Sequence, residues 1–215
     1  MANLKFNTIQ TLALAIAAYR KSNNNILRKD GNIPGNKELV IDHLLNNVKF
    51  DGADATDLVS EAENLKTALN QQIVMNTLTN RPTNEFLLNV NNAIIGDSVS
   101  MRDIGLIVWA PKLLNDIQKA ENTRSDLLNL SFSSQHLGKI KDRVELTFTL
   151  VSQRYLQNYD LFIHTGHDEK GNLVNFFNKS KIESGRISAR IKQLKKDNYI
   201  NGADVTVLNY VKVIK

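Results

Sequence analysis

Cysteine is absent from this chain. Disulfide frameworks and thiolate zinc sites are thereby excluded, and a reducing compartment, the cytoplasm, is the expected setting. Long apolar runs are missing as well. The most apolar stretch, within MANLKFNTIQTLALAIAAYRK, runs for about ten residues, broken by Thr and Gln, which is too short to span a bilayer. No small-residue cleavage site follows it, so it reads as a buried helix, and no membrane association is expected. Also lacking are a P-loop, a G-x-S-x-G elbow, a Rossmann glycine fingerprint and paired carboxylates in a recognisable setting. Ser184, Gly185 and Arg186 have no His partner that spacing could justify. No catalytic residue and no cofactor are therefore expected. His164, His167 and Asp168 approach metal-ligand spacing, but two histidines where a strand enters a turn do not converge as they would on a helix. No metal site is expected there.

What the chain does have is unevenly distributed. From Lys139 to Lys215 there are 14 Lys and Arg against 8 Asp and Glu, whereas residues 1–138 carry 13 against 14. The net charge of +5 thus belongs to the C-terminal part, which also holds 8 of the 14 aromatics. A basic, aromatic-rich β module is the composition of a platform for single-stranded nucleic acid. The charge asymmetry also argues for two domains, placed here at residues 1–130 and 131–215, with a break in the polar segment ENTRSDLLNLSFSSQ.

The first domain reads as five or six helices. Apolar residues recur at helical steps from Thr8 to Ser22, and again after Asn36, taken as a cap, where Leu39, Val40, Ile41, Leu44, Leu45 and Val48 share a face. A long helix carries Leu58, Ala62, Leu65, Leu69 and Ile73, its early Asp54, Asp57, Glu61 and Glu63 complementing the helix dipole. Pro82 suits the first turn of a further helix, with Gly96 at its C-terminal cap. Ser100 and Asp103 resemble a capping box, and Pro111 kinks the last helix or opens a new one. Trp109, the one tryptophan, reads as a packing anchor.

The second domain reads as strands. RVELTFTLVS alternates with Val144, Leu146, Phe148 and Leu150 on one face. YDLFIHT follows, with Leu161 and Ile163 expected inward and Asp160, Phe162 and His164 outward. Gly171 and Asn172 turn the chain into LVNFFN, where one of Phe176 and Phe177 must face out. RISARIKQLKK puts Ile187, Ala189 and Ile191 inward and Arg186, Ser188, Arg190 and Lys192 outward, and VTVLNYVKVI closes the set. Five such strands, with a longer connection after the third, suit an OB-like barrel, an SH3-like barrel being the alternative. The expected class is α+β, an N-terminal helical domain followed by a five-stranded OB-like β-barrel.

Taken in succession, SxxxGKIKDRVELTFTL, YxxxDLFIHTGHDEKGNLVNFF and GRISARIKQLKKDNYINGADVTVLNYVKV resemble the OB-fold single-stranded DNA-binding module of bacteriophage replication-associated proteins. The residues that carry the resemblance are Gly138, Asp142, Arg143, Tyr159, Asp168, Gly171, Asn172, Arg190, Lys192, Tyr199, Gly202, Thr206, Leu208, Val211 and Lys212. It covers about Ser134 to Lys215, and it implies strand binding without catalysis. The ending VIK has no acidic tail, so any recruitment of replication or recombination proteins falls to the helical domain.

Bases stack on aromatic rings while Lys and Arg track phosphates. The residues expected to do this are Arg154, Tyr155, Tyr159, Phe162, His164, Phe176, Phe177, Lys179, Arg186, Arg190, Lys192, Lys195, Lys196, Tyr199, Tyr210 and Lys212. Phe162 is the leading stacking candidate, and Arg186, Arg190 and Lys192 the leading basic row. The expected function is single-stranded DNA binding with little sequence preference, in replication or recombination. The alternatives are a helical interaction or oligomerisation protein that docks a replication enzyme, and an RNA-binding OB protein.

Overall fold

The side chain of Asn7 accepts the backbone N–H of Gln10 at 2.9 Å and so starts α1 (Thr8–Lys21) in the computed structural model, which describes residues 4–54 and 57–214. Every residue of α1 from Thr11 to Tyr19 is buried, the buried helix that the apolar stretch implies. Around it lie α2 (Asn36–Asn46), α3 (Asp57–Leu78), α4 (Glu85–Ile94) and the short α5 (Ile104–Ile107). Leu58, Ala62, Leu65 and Leu69 of α3 and Leu87, Val90 and Ile94 of α4 complete this core. A short ladder of β1 (Lys5–Asn7) and β2 (Ser98–Ser100) sits beside it. Trp109 packs edge-on to Phe86, with ring centroids 5.8 Å apart.

Several expected helix ends move. Gly35, not Asn36, is the cap of α2, because the buried Asn36 side chain is used elsewhere: it accepts from Leu27 N–H at 2.7 Å and donates to Asn25 O at 3.1 Å. Leu45 and Val48 turn out exposed. Asn84 caps α4 through its bond to Phe86 N–H, leaving Pro82 in the loop before the helix, and Ile95 rather than Gly96 is its C-terminal cap. The Ser100 hydroxyl bonds to the Asp103 carboxylate at 2.8 Å rather than to a helix N–H. Pro111 lies in the first turn of α6 (Ala110–Ser131), where its missing N–H leaves no helical bond unmade.

The segment ENTRSDLLNL is helical, the second half of α6, because Leu127 and Leu130 find an apolar surface. The chain forms two compact units, residues 1–118 and 119–215, and that part of α6 belongs to the second.

In the second unit, β3 (Arg143–Leu156), β4 (Leu161–His167), β5 (Leu173–Asn178), β6 (Gly185–Asp197) and β7 (Ala203–Val213) close a barrel in the order β3-β4-β5-β7-β6. Every pairing is antiparallel except β5 with β7. This is an OB-like barrel, and the protein is α+β with its helices first. Leu146, Phe148, Val174, Phe176, Ile187, Ala189, Ile191 and Leu208 fill the interior. The opposite parity of β5 and β7 brings Leu173 and Val205 together with Ile200 and Ala203, and Leu127 and Leu130 of α6 cover them.

Two polar devices hold the strand ends. Asp168 accepts the N–H groups of Lys170 and Asn172 at 2.9 and 2.8 Å, and Gly171 takes a φ of 83°, which makes the β4–β5 hairpin. Ser134 donates to Asp204 O at 2.6 Å and accepts Leu173 N–H at 2.8 Å, tying the segment after α6 to β5 and β7.

Candidate nucleic-acid interface

The alternation of β4 is the reverse of the one expected. His164 is fully buried and its ring lies on Phe176, centroids 4.7 Å and planes 11° apart, while Gly166 faces the Phe148 ring. The inward residues are thus Phe162, His164 and Gly166, and the outward ones Ile163, Thr165 and His167. A histidine and a glycine look like solvent residues by hydropathy. Here the imidazole is an internal acceptor, taking the Ile182 N–H on Nε2 at 3.0 Å, and the missing side chain of Gly166 makes room for a ring.

His164 is therefore withdrawn from the interface, and Phe176, fully buried against Phe148 at 5.1 Å, goes with it. Phe162 is not on the outer face. It sits at the barrel end against Tyr155, ring centroids 5.0 Å apart, with Lys181 Nζ 5.8 Å from its centroid. The Tyr155 hydroxyl donates to Asp160 Oδ1 at 2.7 Å, and that bond raises the pKa of the phenol.

Burial lowers the pKa of His164, a pull that the backbone of Phe176 and Phe162 only partly offsets. As the pH falls below the ordinary histidine value of 6.5, the unfolded chain takes up a proton that the folded barrel resists. Stability from this group is therefore complete above that pH and is lost below it. His164→Gln keeps an acceptor for Ile182 but does not titrate, so its melting temperature is expected to fall less than the wild type's between about pH 7.5 and pH 5. Parallel profiles would contradict this role.

The outer face of β3, β4 and β5 carries one cross-strand row. Arg154 pairs in register with Ile163, and Ile163 with Phe177. Phe177, near the end of β5, is 47% exposed, and Tyr159, at the β3–β4 turn, is 74% exposed. Lys179 lies exposed just beyond Phe177. At the other end of β5, where Val205 pairs with Leu173, the β6–β7 turn presents Tyr199, which is 100% exposed. Phe177 and Tyr159 thus stand toward one end of the face formed by β4 and β5, the second and third strands of the barrel, and Tyr199 lies beyond the other end, on the β6–β7 turn.

The expected basic row is rearranged by two bulges. β6 and β7 slip in register between Ser188 and Arg190 and between Ile191 and Gln193, the second of which leaves Lys192 as an extra residue. Arg186 reaches Glu145 at 3.3 Å, and Lys195 reaches Asp197 at 2.8 Å. Lys192 and Lys196 are exposed.

Replacing that row is a groove of about 420 Å³ lined by Arg143, Ser188, Ala189, Arg190, Tyr210 and Lys212. Arg143 pairs directly with Arg190, and Ser188 with Lys212. Among the described residues no carboxylate lies within 4.0 Å of Arg143, Arg190 or Lys212. Like charges placed opposite each other destabilise a sheet, so the arrangement suits an anion held between them. Tyr210, at the bulge, has a φ of 53° and is 74% exposed over the groove. A tyrosine held there is strained by roughly 1–3 kcal/mol. Arg143 and Lys181 were not among the expected contacts. Their signal lies in strand pairing and barrel closure, which sequence spacing does not contain.

Comparison with models of known protein families, with curated proteins and with solved structures yields no match. Among the described residues no group of three or more His, Cys, Asp or Glu could hold a metal ion, and no helix is long and apolar enough to cross a membrane.

Proposed function

We propose that the barrel binds single-stranded nucleic acid, DNA foremost, with little sequence preference and without catalysis. The observation that carries this reading is Phe177: in a chain that buries its neighbour Phe176 completely, this ring is left half in solvent on the second-and-third-strand face of an OB-like barrel. Arg154 and Lys179 flank it with positive charge, so a base can stack while its phosphates are neutralised. Protection or organisation of strands in replication or recombination, in the cytoplasm of a phage-infected host, is the task this chemistry serves. The last turns of α3 leave Val74, Met75 and Leu78 exposed, which supports a partner contact of the helical unit as a second role.

Affinities for single-stranded DNA, RNA and duplex DNA of equal length, measured across salt concentrations, test the proposal. Single strands are expected to bind more tightly than duplex, with affinity falling by a slope of about −0.7 per neutralised phosphate. Equal or tighter duplex binding would reduce the barrel to a general polyanion binder, and tighter RNA binding would reassign the ligand.

A further inference from the structure

The basic groove and the aromatic face lie on different sides of one closed barrel, and the strand register connects them. Phe176, Leu208 and Ile191 form an inward register across β5, β7 and β6. The adjacent outward positions are Phe177, Asn209 and Arg190, and Arg190 in turn pairs with Arg143 on β3. Arg154, Ile163 and Phe177 continue the same belt in the other direction. It runs across the strands, and its composition changes from Ile163 and Phe177 to Arg190 and Arg143, with Lys212 beside them on β7; among the described residues no carboxylate lies within 4.0 Å of these three cations.

We propose that one bound single strand follows this belt, stacking bases at Phe177 and then passing over β7 so that its phosphates enter the groove of Arg143, Arg190 and Lys212, with Tyr210 offering a second ring at that end. The inference rests on the single-strand reading above and adds a path and a polarity of contacts to it. From β5 through β7 and β6 to β3 is three strand spacings, about 14 Å at the backbone. At about 3.4 Å per step between stacked nucleotides that span takes about four steps, so about five nucleotides, and a strand of four stacked at Phe177 falls short of the far side of the groove. The strain at Tyr210 acquires a use on this path. A bulge re-aims a side chain, and here it places a ring between Arg190 and Lys212 along the groove wall.

The test uses the full chain with oligo-thymidylates of four and twelve residues, comparing wild type with the triple variant Arg143→Ala, Arg190→Ala, Lys212→Ala. The corresponding triple Gln variant serves as a second form, and melting curves confirm that both fold. One twelve-residue strand is expected to bind per wild-type chain. In the variants its affinity drops by about tenfold or more at low salt, and its salt slope becomes shallower by about two, three phosphates at about 0.7 each. The gain in affinity from four to twelve residues shrinks accordingly. An unchanged slope for the longer strand would overturn the proposal, leaving the groove a solvated surface. Two long strands bound per wild-type chain, falling to one in the variants, would also overturn it, by showing separate sites. If wild type binds neither oligonucleotide, the single-strand reading itself fails, a result distinguishable from both.

Discussion

A methyl group added at Gly166 is expected to disrupt the barrel. A Cβ at that position would stand 2.1 Å from the Thr149 carbonyl oxygen and 2.6 Å from Cε2 of Phe148. The first contact is backbone of the paired strand β3, so no side-chain rotation relieves it, and the second is a fully buried ring packed on Phe176. Overpacking ordinarily costs about 1–3 kcal/mol, and a clash with paired backbone belongs at or above the top of that range. For a unit of about 100 residues, each kcal/mol lowers the melting temperature by about 4–8 °C, so Gly166→Ala is expected to lower it by about 12 °C or more. Near-ultraviolet circular dichroism of the barrel tyrosines measures this, while the fluorescence of Trp109, which lies in the first unit, reports that unit separately. An unchanged barrel transition would mean that Phe148 does not pack on Gly166, and the inward assignment of β4 would fall with it.

Phe177→Ala has the opposite signature. The ring is outward and half exposed, so its removal leaves no interior cavity and the barrel transition is expected to hold within about 4 °C, a surface substitution being worth at most about 0.5 kcal/mol. Stacking of a base on an aromatic contributes about 1–3 kcal/mol, so single-strand affinity is expected to fall by about 5- to 150-fold. Duplex binding presents phosphates but no open base faces, and is expected to change little. The same substitution at Phe176 would instead open a cavity at a cost of about 3–5 kcal/mol and destroy both binding modes together with the fold. The adjacent pair therefore sets the proposed stacking residue one position from a core residue.

The strands themselves were legible in the sequence because each is a local pattern. LVNFFN coincides with β5, Leu173–Asn178, and the alternation of Ile187, Ala189 and Ile191 places all three inside, as expected. The hairpin at Asp168, Gly171 and Asn172 was legible for the same reason, its bonds spanning four residues at most. What stayed hidden depends on partners distant in the chain. Nothing within LFIHTGH shows that His164 accepts an N–H from Ile182, or that Gly166 exists to admit Phe148. Arg143 and Arg190 become neighbours only when β6 returns to β3 and closes the barrel. The bulge at Tyr210 and the salt bridge from Arg186 to Glu145 likewise belong to pairing rather than to spacing. α6 runs on through a polar segment because Leu127 and Leu130 meet Leu173 and Val205, a surface that does not exist until the barrel has formed. Of the candidate site, the composition was visible and the placement was not: Phe177, Tyr159, Tyr199, Arg190 and Lys212 stand on the outer surface, whereas Phe176 and His164 are interior.

The most direct test is the ratio of single-strand to duplex affinity, measured at one salt concentration on wild type and on Phe177→Ala. Bases stacked on the outer face of β4 and β5 predict a wild-type ratio well above one, reduced in the variant by about 5- to 150-fold while the melting temperature stays within about 4 °C of the wild type's. A folded variant that keeps the wild-type ratio would contradict the account, because the preference for single strands would then arise somewhere other than this ring.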